Sequence, residues 1–202
     1  MKTLIAVPCM DQVAAPFAQS LATLKTVGDC VYDFNIGSLI YDARNRLTTD
    51  AIKCGADFIL WFDSDMIIPQ DAMVKLMAHM EQGKDIVSGL YFRRRAPFTP
   101  VLYSLIDRGA HEDLKTYPEN TTFEVDGCGF GCVMTRVEAM QDILFNSHDL
   151  FTPFEAYGED LSFCLRAKDN GYKIWCDSTI TCGHIGQVVV DETIWKTSIR
   201  EA

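Results

Sequence analysis

A chain of 202 residues with net charge −10 and pI near 4.7 suits one α/β domain with a full core. That acidity excludes a broad electrostatic grip on nucleic acid or on an anionic membrane, both of which require a basic surface. No apolar run approaches the length of a membrane span, and the apolar stretch after Lys2 stops at Asp11, which reads as a first strand rather than a secretory signal. Eight cysteines in such a chain read as reduced thiols of a cytoplasmic enzyme. Structural zinc through Cys128, Cys132, Cys176, Cys182 and His184 is the competing reading, but none of these forms a C-x-x-C pair. The sequon at Asn120 reads as chance.

In chain order, residues 3–9 read as a strand closed by Pro8. Residues 13–27 have helical spacing in Phe17, Leu21 and Leu24, with Gly28 as the stop. A second strand is expected over 30–36, a helix over 41–54 ending at Gly55, and a strand over 57–62. A helix over 70–83 follows, with Met73, Leu76, Met77 and Met80 as a core face, then a strand over 85–92. This β-α-β-α-β-α-β order implies a parallel sheet covered by helices, whose ligands bind at the carboxyl ends of the strands. Beyond Arg95 the rhythm changes. Shorter strands are expected near 98–106, 121–127 and 129–135, a helix over 136–144, a mobile stretch to Pro153, a helix over 159–171, and strands over 172–177 and 179–186. The whole reads as one domain, residues 1–202, whose halves 1–95 and 96–202 differ in rhythm, the second carrying a smaller sheet.

Chemistry concentrates in a few places. The run "FILWFDSDM" delivers Asp63, Ser64 and Asp65 at the end of a buried strand, so charge emerges at a sheet edge and a positive partner is expected there. Glu159 and Asp160 open a helix, where the helix dipole favours carboxylates. "GHIG" sets His184 between glycines, and "YDARNR" puts Arg44 and Asn45 early in a helix. Each has an ordinary structural reading as a surface acid, a dipole partner, a turn histidine or a solvated helix face.

Taken together and in order, the strand ending in Pro8, "ARN", "FDSDM", "GLYFRRR", "DGCGFGCVMTR", "YGEDLSFCLRAKDNGY" and "GHIG" resemble nucleotide-sugar glycosyltransferases of the GT-A fold, closest to family 2 and Anp1-like mannosyltransferases. The resemblance implies a Rossmann-like, mostly parallel sheet flanked by helices, with residues 1–95 as a nucleotide-sugar-binding half and 96–202 as an acceptor-side half with a smaller sheet. It also implies Mn²⁺ or Mg²⁺ held by Asp65 and His184, with Asp63 reaching the metal through water or holding the ribose, and Ser64 beside them. Asp160 is implied as the general base of an inverting transfer, with Glu159 orienting it or binding the acceptor. Two carboxylates so close resist double ionisation, so one should have a raised pKa.

Pro8, Asp11, Asp33 and Asn35 close the first two strands on one side and are candidates for the nucleoside pocket of a UDP- or GDP-sugar. Arg44 either binds the diphosphate or holds the acids in register. Arg93, Arg94 and Arg95 read equally as a diphosphate or anionic-acceptor contact and as an edge-strand guard. Gly127, Gly129 and Gly131 would let backbone approach the donor sugar, and Trp61 reads as core. The expected acceptor is a soluble glycan, protein or small molecule, with a nucleobase as a remote possibility. The competing readings are a retaining enzyme, a sugar-phosphate nucleotidyltransferase and a non-catalytic sugar-binding module. The nucleotidyltransferase would carry a basic glycine-rich loop after the first strand, and "PCMDQVAAPF" lacks one. The binding module would be expected to have lost one of Asp65, Asp160 and His184.

Overall fold

A computed structural model describes residues 1–107, 110–154, 156–186 and 189–198. The first half follows its hydrophobic pattern: β1 (Lys2–Cys9), α1 (Ala15–Ala22), β2 (Asp29–Ile36), α2 (Ile40–Lys53), β3 (Phe58–Phe62), α3 (Ala72–Glu81) and β5 (Ile86–Leu90), with a two-residue strand β4 (Met66–Ile67) directly after the paired acids. All five residues of β3 are buried, as a strand covered on both faces requires. Helix α1 is shorter than its apolar spacing implied. The Thr23 hydroxyl turns back to the Gln19 and Ser20 carbonyls, and Lys25 N–H donates to the Gln70 carbonyl at 2.8 Å, which draws the chain out of the helix.

The second half contributes β6 (Leu102–Asp107), β7 (Ala110–Asp113), β8 (Thr122–Val125), β9 (Gly127–Cys128), β10 (Cys132–Arg136), α4 (Val137–Ser147), α5 (Glu159–Asp169), β11 (Ile174–Thr181), β12 (Gly183–Ile185), β13 (Val189–Val190) and α6 (Glu192–Ser198). The central sheet has seven strands in the order β2-β1-β3-β10-β5-β11-β8. Strands β1, β2, β3, β5 and β11 run one way, and β8 and β10 run against them.

This order sets a strand of the second half inside the mostly parallel sheet. Strand β5 does not pair with β3, because β10 inserts between them antiparallel to both. A hydrogen bond from Trp61 Nε1 to Thr135 Oγ1, 3.1 Å long and buried, fixes that insertion. Residues 96–202 therefore supply the middle and one edge of this sheet as well as the smaller sheet β7-β6-β9. The strands expected over 172–177 and 179–186 are also redistributed. Most of that text is the single strand β11, whose register shifts between Asp177 and Thr181, and β12 follows after a break.

The core lies on both faces of the sheet. Leu4, Ala6, Ile59 and Trp61 pack toward α2, α4 and most of α5, while Ile5, Val7, Leu60 and Phe62 pack toward α1 and α3. This alternation along β1 and β3 is the period-two pattern of a strand read from both sides. Trp61 is fully buried, so it is core as expected. Two three-stranded sheets, β13-β12-β4 and β7-β6-β9, flank the carboxyl ends of the central strands.

The glycines around β9 and β10 are demanded by packing. A Cβ on Gly129 would stand 2.0 Å from the Tyr91 hydroxyl and 2.7 Å from Val101 Cγ1, and one on Gly131 would stand 2.8 Å from Tyr91 Cζ. Gly129→Ala should therefore lower stability by about 1–3 kcal/mol through overpacking, read as a shift of the urea midpoint with unchanged slope. An unaffected midpoint would mean that Tyr91 is free to move aside.

Candidate active site

The acids of the 63–65 turn and of the α5 N-terminus meet over one side chain, Arg44. It is the fifth residue of α2, on the face with Ala43, Leu47, Thr48 and Ala51 that turns inward, and it is 1% exposed. Its Nη2 donates to Asp63 Oδ1 at 2.8 Å, and its Nε lies 3.6 Å from Glu159 Oε1. The guanidinium carbon is 5.1 Å from the centroid of Phe130, 5.9 Å from Phe151 and 6.0 Å from Trp61. Burial works against charge on Arg44, but Asp63 and then Glu159 outweigh it and lift its pKa above the ordinary value. Of the two roles open to this arginine, the structure gives it the holding of acids.

Asp65 is reached from the other side. Strand β4 pairs with β12 so that His184 stands opposite Met66, and Ile185 N–H donates to the Asp65 carbonyl at 2.7 Å. His184 Nδ1 bonds the Phe92 carbonyl at 2.8 Å, and since a carbonyl only accepts, Nδ1 carries the proton. Nε2 is thereby turned to Asp65 Oδ2, 3.5 Å away. The same Oδ2 accepts from Arg94 Nη1 at 2.5 Å. Burial would raise the Asp65 pKa, but His184 and Arg94 together hold it below the usual carboxylate value. Burial lowers that of His184, and Asp65 with the Phe92 carbonyl more than restores it.

Asp160 occupies the first turn of α5 beside Glu159, capped by Gly158 rather than by a side chain. Its Oδ1 accepts from Leu161 N–H at 2.7 Å. Burial first, and the neighbouring Glu159 second, push its pKa up to about 6. The raised carboxylate expected from the pair is thus Asp160, and desolvation contributes more than repulsion.

A cavity of about 330 Å³ opens onto Arg44, Asp63, Asp65 and Glu159 and is lined also by Pro8, Cys9, Met10, Ser38, Ile40, Ser64 and Arg94. His184 and Asp160 do not line it: each stands beside an acid that does, His184 next to Asp65 and Asp160 next to Glu159. Larger hollows exist elsewhere, but this one holds both acids of the strand end and Glu159 of the helix N-terminus. Several expected residues are absent from it. Asp33 lies lower on β2, where burial and Asp50 of α2 raise its pKa. Asp11 is exposed outside the cavity. Asn35 is level with Pro8 across the β1–β2 pair but does not line the cavity, and its Oδ1 is buried without a hydrogen-bond partner. Asn45 accepts from Phe151 N–H at 3.2 Å and so braces the 150–153 segment. Gly129 sits against Tyr91, not at the cavity wall.

The arginine triplet does not act as a unit either. Arg94 meets Asp65, Arg93 pairs with Asp113 at 2.7 Å outside the cavity, and Arg95 is exposed. Asp63 meets Arg44, so of the two D-x-D acids only Asp65 faces His184. Sequence reasoning missed Tyr91, whose hydroxyl accepts from Gly131 N–H at 3.2 Å and whose pKa is raised first by burial and then by Asp63 and Asp160. Its position at the end of an apolar strand, just before the arginines, was the available signal.

No family model matches the chain, and no curated protein matches it. Among solved structures it is similar to A197 from STIV, with a TM-score of 0.70 and 21% identity over 92% of this chain and 86% of that one. At that identity the likeness shows a shared fold.

The position of Asp160 carries a pH signature. Its folded pKa of about 6 lies above the unfolded value of 3.8, so the folded chain holds the proton more tightly. Its favourable contribution is complete below the unfolded pKa and is lost as pH rises through about 6. Asp160→Asn should therefore stabilise the protein at pH 7–8 by about 3 kcal/mol at most, with the gain vanishing near pH 4. Chemical denaturation at both pH values checks this, and a gain of equal size at pH 4 would contradict it.

Proposed function

We propose that this chain is a metal-dependent glycosyltransferase of GT-A type that moves a sugar from a UDP- or GDP-sugar to an acceptor hydroxyl with inversion. The observation that carries the reading is the Asp65–His184 pair, in which Asp65 lines the cavity and His184 stands beside it. One imidazole nitrogen is committed to a backbone carbonyl and the other is turned to a carboxylate, which is how a metal-ligating histidine is oriented. Among the described residues no cluster of three His, Cys, Asp or Glu side chains could hold an ion alone. Two protein donors fit an ion whose remaining positions come from substrate phosphates and water, as is usual for small hard cations at nucleotide sites. When bound, Mn²⁺ or Mg²⁺ would neutralise the diphosphate and ease its departure as a Lewis acid, and the imidazole favours manganese.

Charge supports the need for such an ion. The cavity wall carries Asp63, Asp65 and Glu159 against Arg44 and Arg94, and Arg44 is already spent on two of the carboxylates. A diphosphate entering this wall alone would be repelled. Arg94, half exposed, is the guanidinium available to phosphate oxygens. Asp63, anchored by Arg44, offers its free oxygen to a ribose hydroxyl. Asp160 receives the acceptor's proton as the new glycosidic bond forms, while the diphosphate leaves from the opposite face of the sugar. Eight free cysteines, five of them buried, support residence in a reducing compartment such as the cytoplasm. Among the described residues no helix is long and apolar enough to cross a membrane.

Asp65→Ala and His184→Ala should each abolish the rise in Tm that UDP or GDP produces with Mn²⁺. Full retention in Asp65→Ala would defeat the metal assignment. Because His184 must shed its proton to bind an ion, and Asp65 with the Phe92 carbonyl holds its pKa above the ordinary histidine value, Mn²⁺ affinity should fall as pH drops through that raised pKa, and a flat profile from pH 5 to 8 would count against the imidazole. Asp160→Asn should leave donor and Mn²⁺ affinity within about twofold while kcat falls roughly 10²–10⁴-fold. Parallel losses of affinity and rate would make Asp160 a binding residue.

A further inference from the structure

The two edges of the central sheet are not alike. Strand β8 is four residues long, and its Glu124 is held by Lys173 at 2.9 Å. At the other edge, β2 pairs with β1 in unbroken register over all eight of its residues, and among the described residues no strand pairs with its outer side. Short length, lysine, proline, bulges and inward charges are the devices that keep a sheet edge from pairing. Of these β2 has only Asp33, half-buried on the α2 side.

The surface around this edge is apolar and poor in charge. Tyr32, Phe34 and Ile36 are exposed along one face of β2, and the first two border a hollow of about 260 Å³ shared with α1. Helix α1 carries no charged residue. From Gln12 to Tyr41 only Lys25, Asp29 and Asp33 are charged, where the chain average would give about seven. Such a face lets a second molecule of net charge −10 approach with least repulsion.

The charges that flank the edge suit that approach. Helix α2 covers β1 and β2, with α4 packed on the flank where Asn45 braces the 150–153 segment. Arg46 and Asp50, one turn apart, lie on the opposite flank, toward the β2 edge. Asp50 is close enough to Asp33 to act on its carboxyl. Because α2 runs back against β2, Arg46 is level with Asn35, since one helical turn and two strand residues each span about 6 Å. Arg46 is exposed and bonds Ser38 Oγ at 3.3 Å, and among the described residues no acid lies within ion-pair distance of it. Asp50 meets only the exposed Lys53, at 3.6 Å, among the described residues.

We propose that β2 is the interface of a two-fold dimer, in which β2 of a second copy pairs antiparallel with it about an axis through Phe34. Phe34 then meets Phe34 of the second copy, Tyr32 meets Ile36, and Asp33 meets the Asn35 amide, all on matching faces. Arg46 of each copy faces Asp50 of the other. With strands about 4.8 Å apart and α2 over β1 and β2, the two α2 helices lie about 10–14 Å apart, a span that an arginine and an aspartate bridge. An axis through Asp33 would set Asp33 and Asp50 against their own copies, and one through Asn35 would set Arg46 against its own copy. The edge is about 27 Å long, so the contact is of modest size and depends on concentration. It joins two seven-stranded sheets, leaves the two candidate sites open at opposite ends, and is independent of the glycosyltransferase reading.

The test is sedimentation velocity on the full chain up to about 100 µM, where a specific contact of this size is populated, with Phe34→Lys, Arg46→Asp and the exchange of Arg46→Asp with Asp50→Arg alongside. The unmodified chain should sediment with twice the 22.7 kDa of one copy. Phe34→Lys sets two ammonium groups face to face on the axis and should sediment as a monomer with unchanged circular dichroism. Arg46 is an exposed helix position, so Arg46→Asp keeps the experiment readable if Phe34→Lys disturbs folding. It should weaken the dimer roughly tenfold by replacing two ion pairs with like-charge contacts, and the exchange should restore it to within about threefold. A monomer at the highest concentration would leave the edge to another occupant and overturn the proposal. So would a dimer that withstands Phe34→Lys, one indifferent to Arg46→Asp, or one that the exchange fails to restore.

Discussion

One guanidinium organises this site. Arg44 is withdrawn from water into a cage of Phe130, Phe151 and Trp61, and a charge so placed costs several kcal/mol unless it is paired. Asp63 and Glu159 provide the pairing, so a strand end and a helix start far apart in sequence are held over the same cation. Much of the rest follows from that constraint. Asp160, next to Glu159 and, among the described residues, without a counter-ion of its own at hydrogen-bond distance, keeps a pKa raised to about 6. Asp65, two residues from Asp63 and on the other side of the turn, remains free to meet His184 and Arg94.

Backbone pairing performs the remaining assembly. Strand β4 is only two residues long, yet its pairing with β12 sets His184 beside Asp65, and the Phe92 carbonyl at the end of the β5 segment fixes which imidazole nitrogen faces the acid. Trp195 of α6 stacks on Phe92 with centroids 5.1 Å apart, so the C-terminal helix buttresses the carbonyl that orients the histidine. His184 thus sits on a strand and Asp160 on a helix, while Asp63 and Asp65 occupy the three-residue turn that β3 and β4 hold between them, an arrangement that restrains the geometry of the candidate site.

The sequence made some of this legible. Strong apolar periodicity located β1, β2, α2, β3, α3 and β5 to within a few residues, and close-set acids after a buried strand marked Asp63 and Asp65. Local patterning could not reveal that β10 inserts between β3 and β5, since a strand's partner depends on packing across the whole sheet. Nor could it separate Arg93 from Arg94, because consecutive residues point to opposite sides of an extended chain and only the surroundings decide which side holds Asp65. Asp33, Asn45 and Gly129 lie near strand ends and motifs in the sequence, but each is committed to its own neighbours. Arg44 reads as an exposed helix residue by type, and only its position among buried Ala43, Leu47 and Ala51 betrays its burial.

The most direct test of the proposed chemistry is pulsed electron paramagnetic resonance of Mn²⁺ with UDP or GDP on protein in which histidine alone is labelled with ¹⁵N. The geometry at Asp65 and His184 predicts an ¹⁵N coupling from one imidazole together with ³¹P couplings from the nucleotide, and loss of the nitrogen signal alone in a His184→Gln variant. Nucleotide-dependent Mn²⁺ binding with no histidine coupling, or an unchanged coupling in that variant, would contradict it.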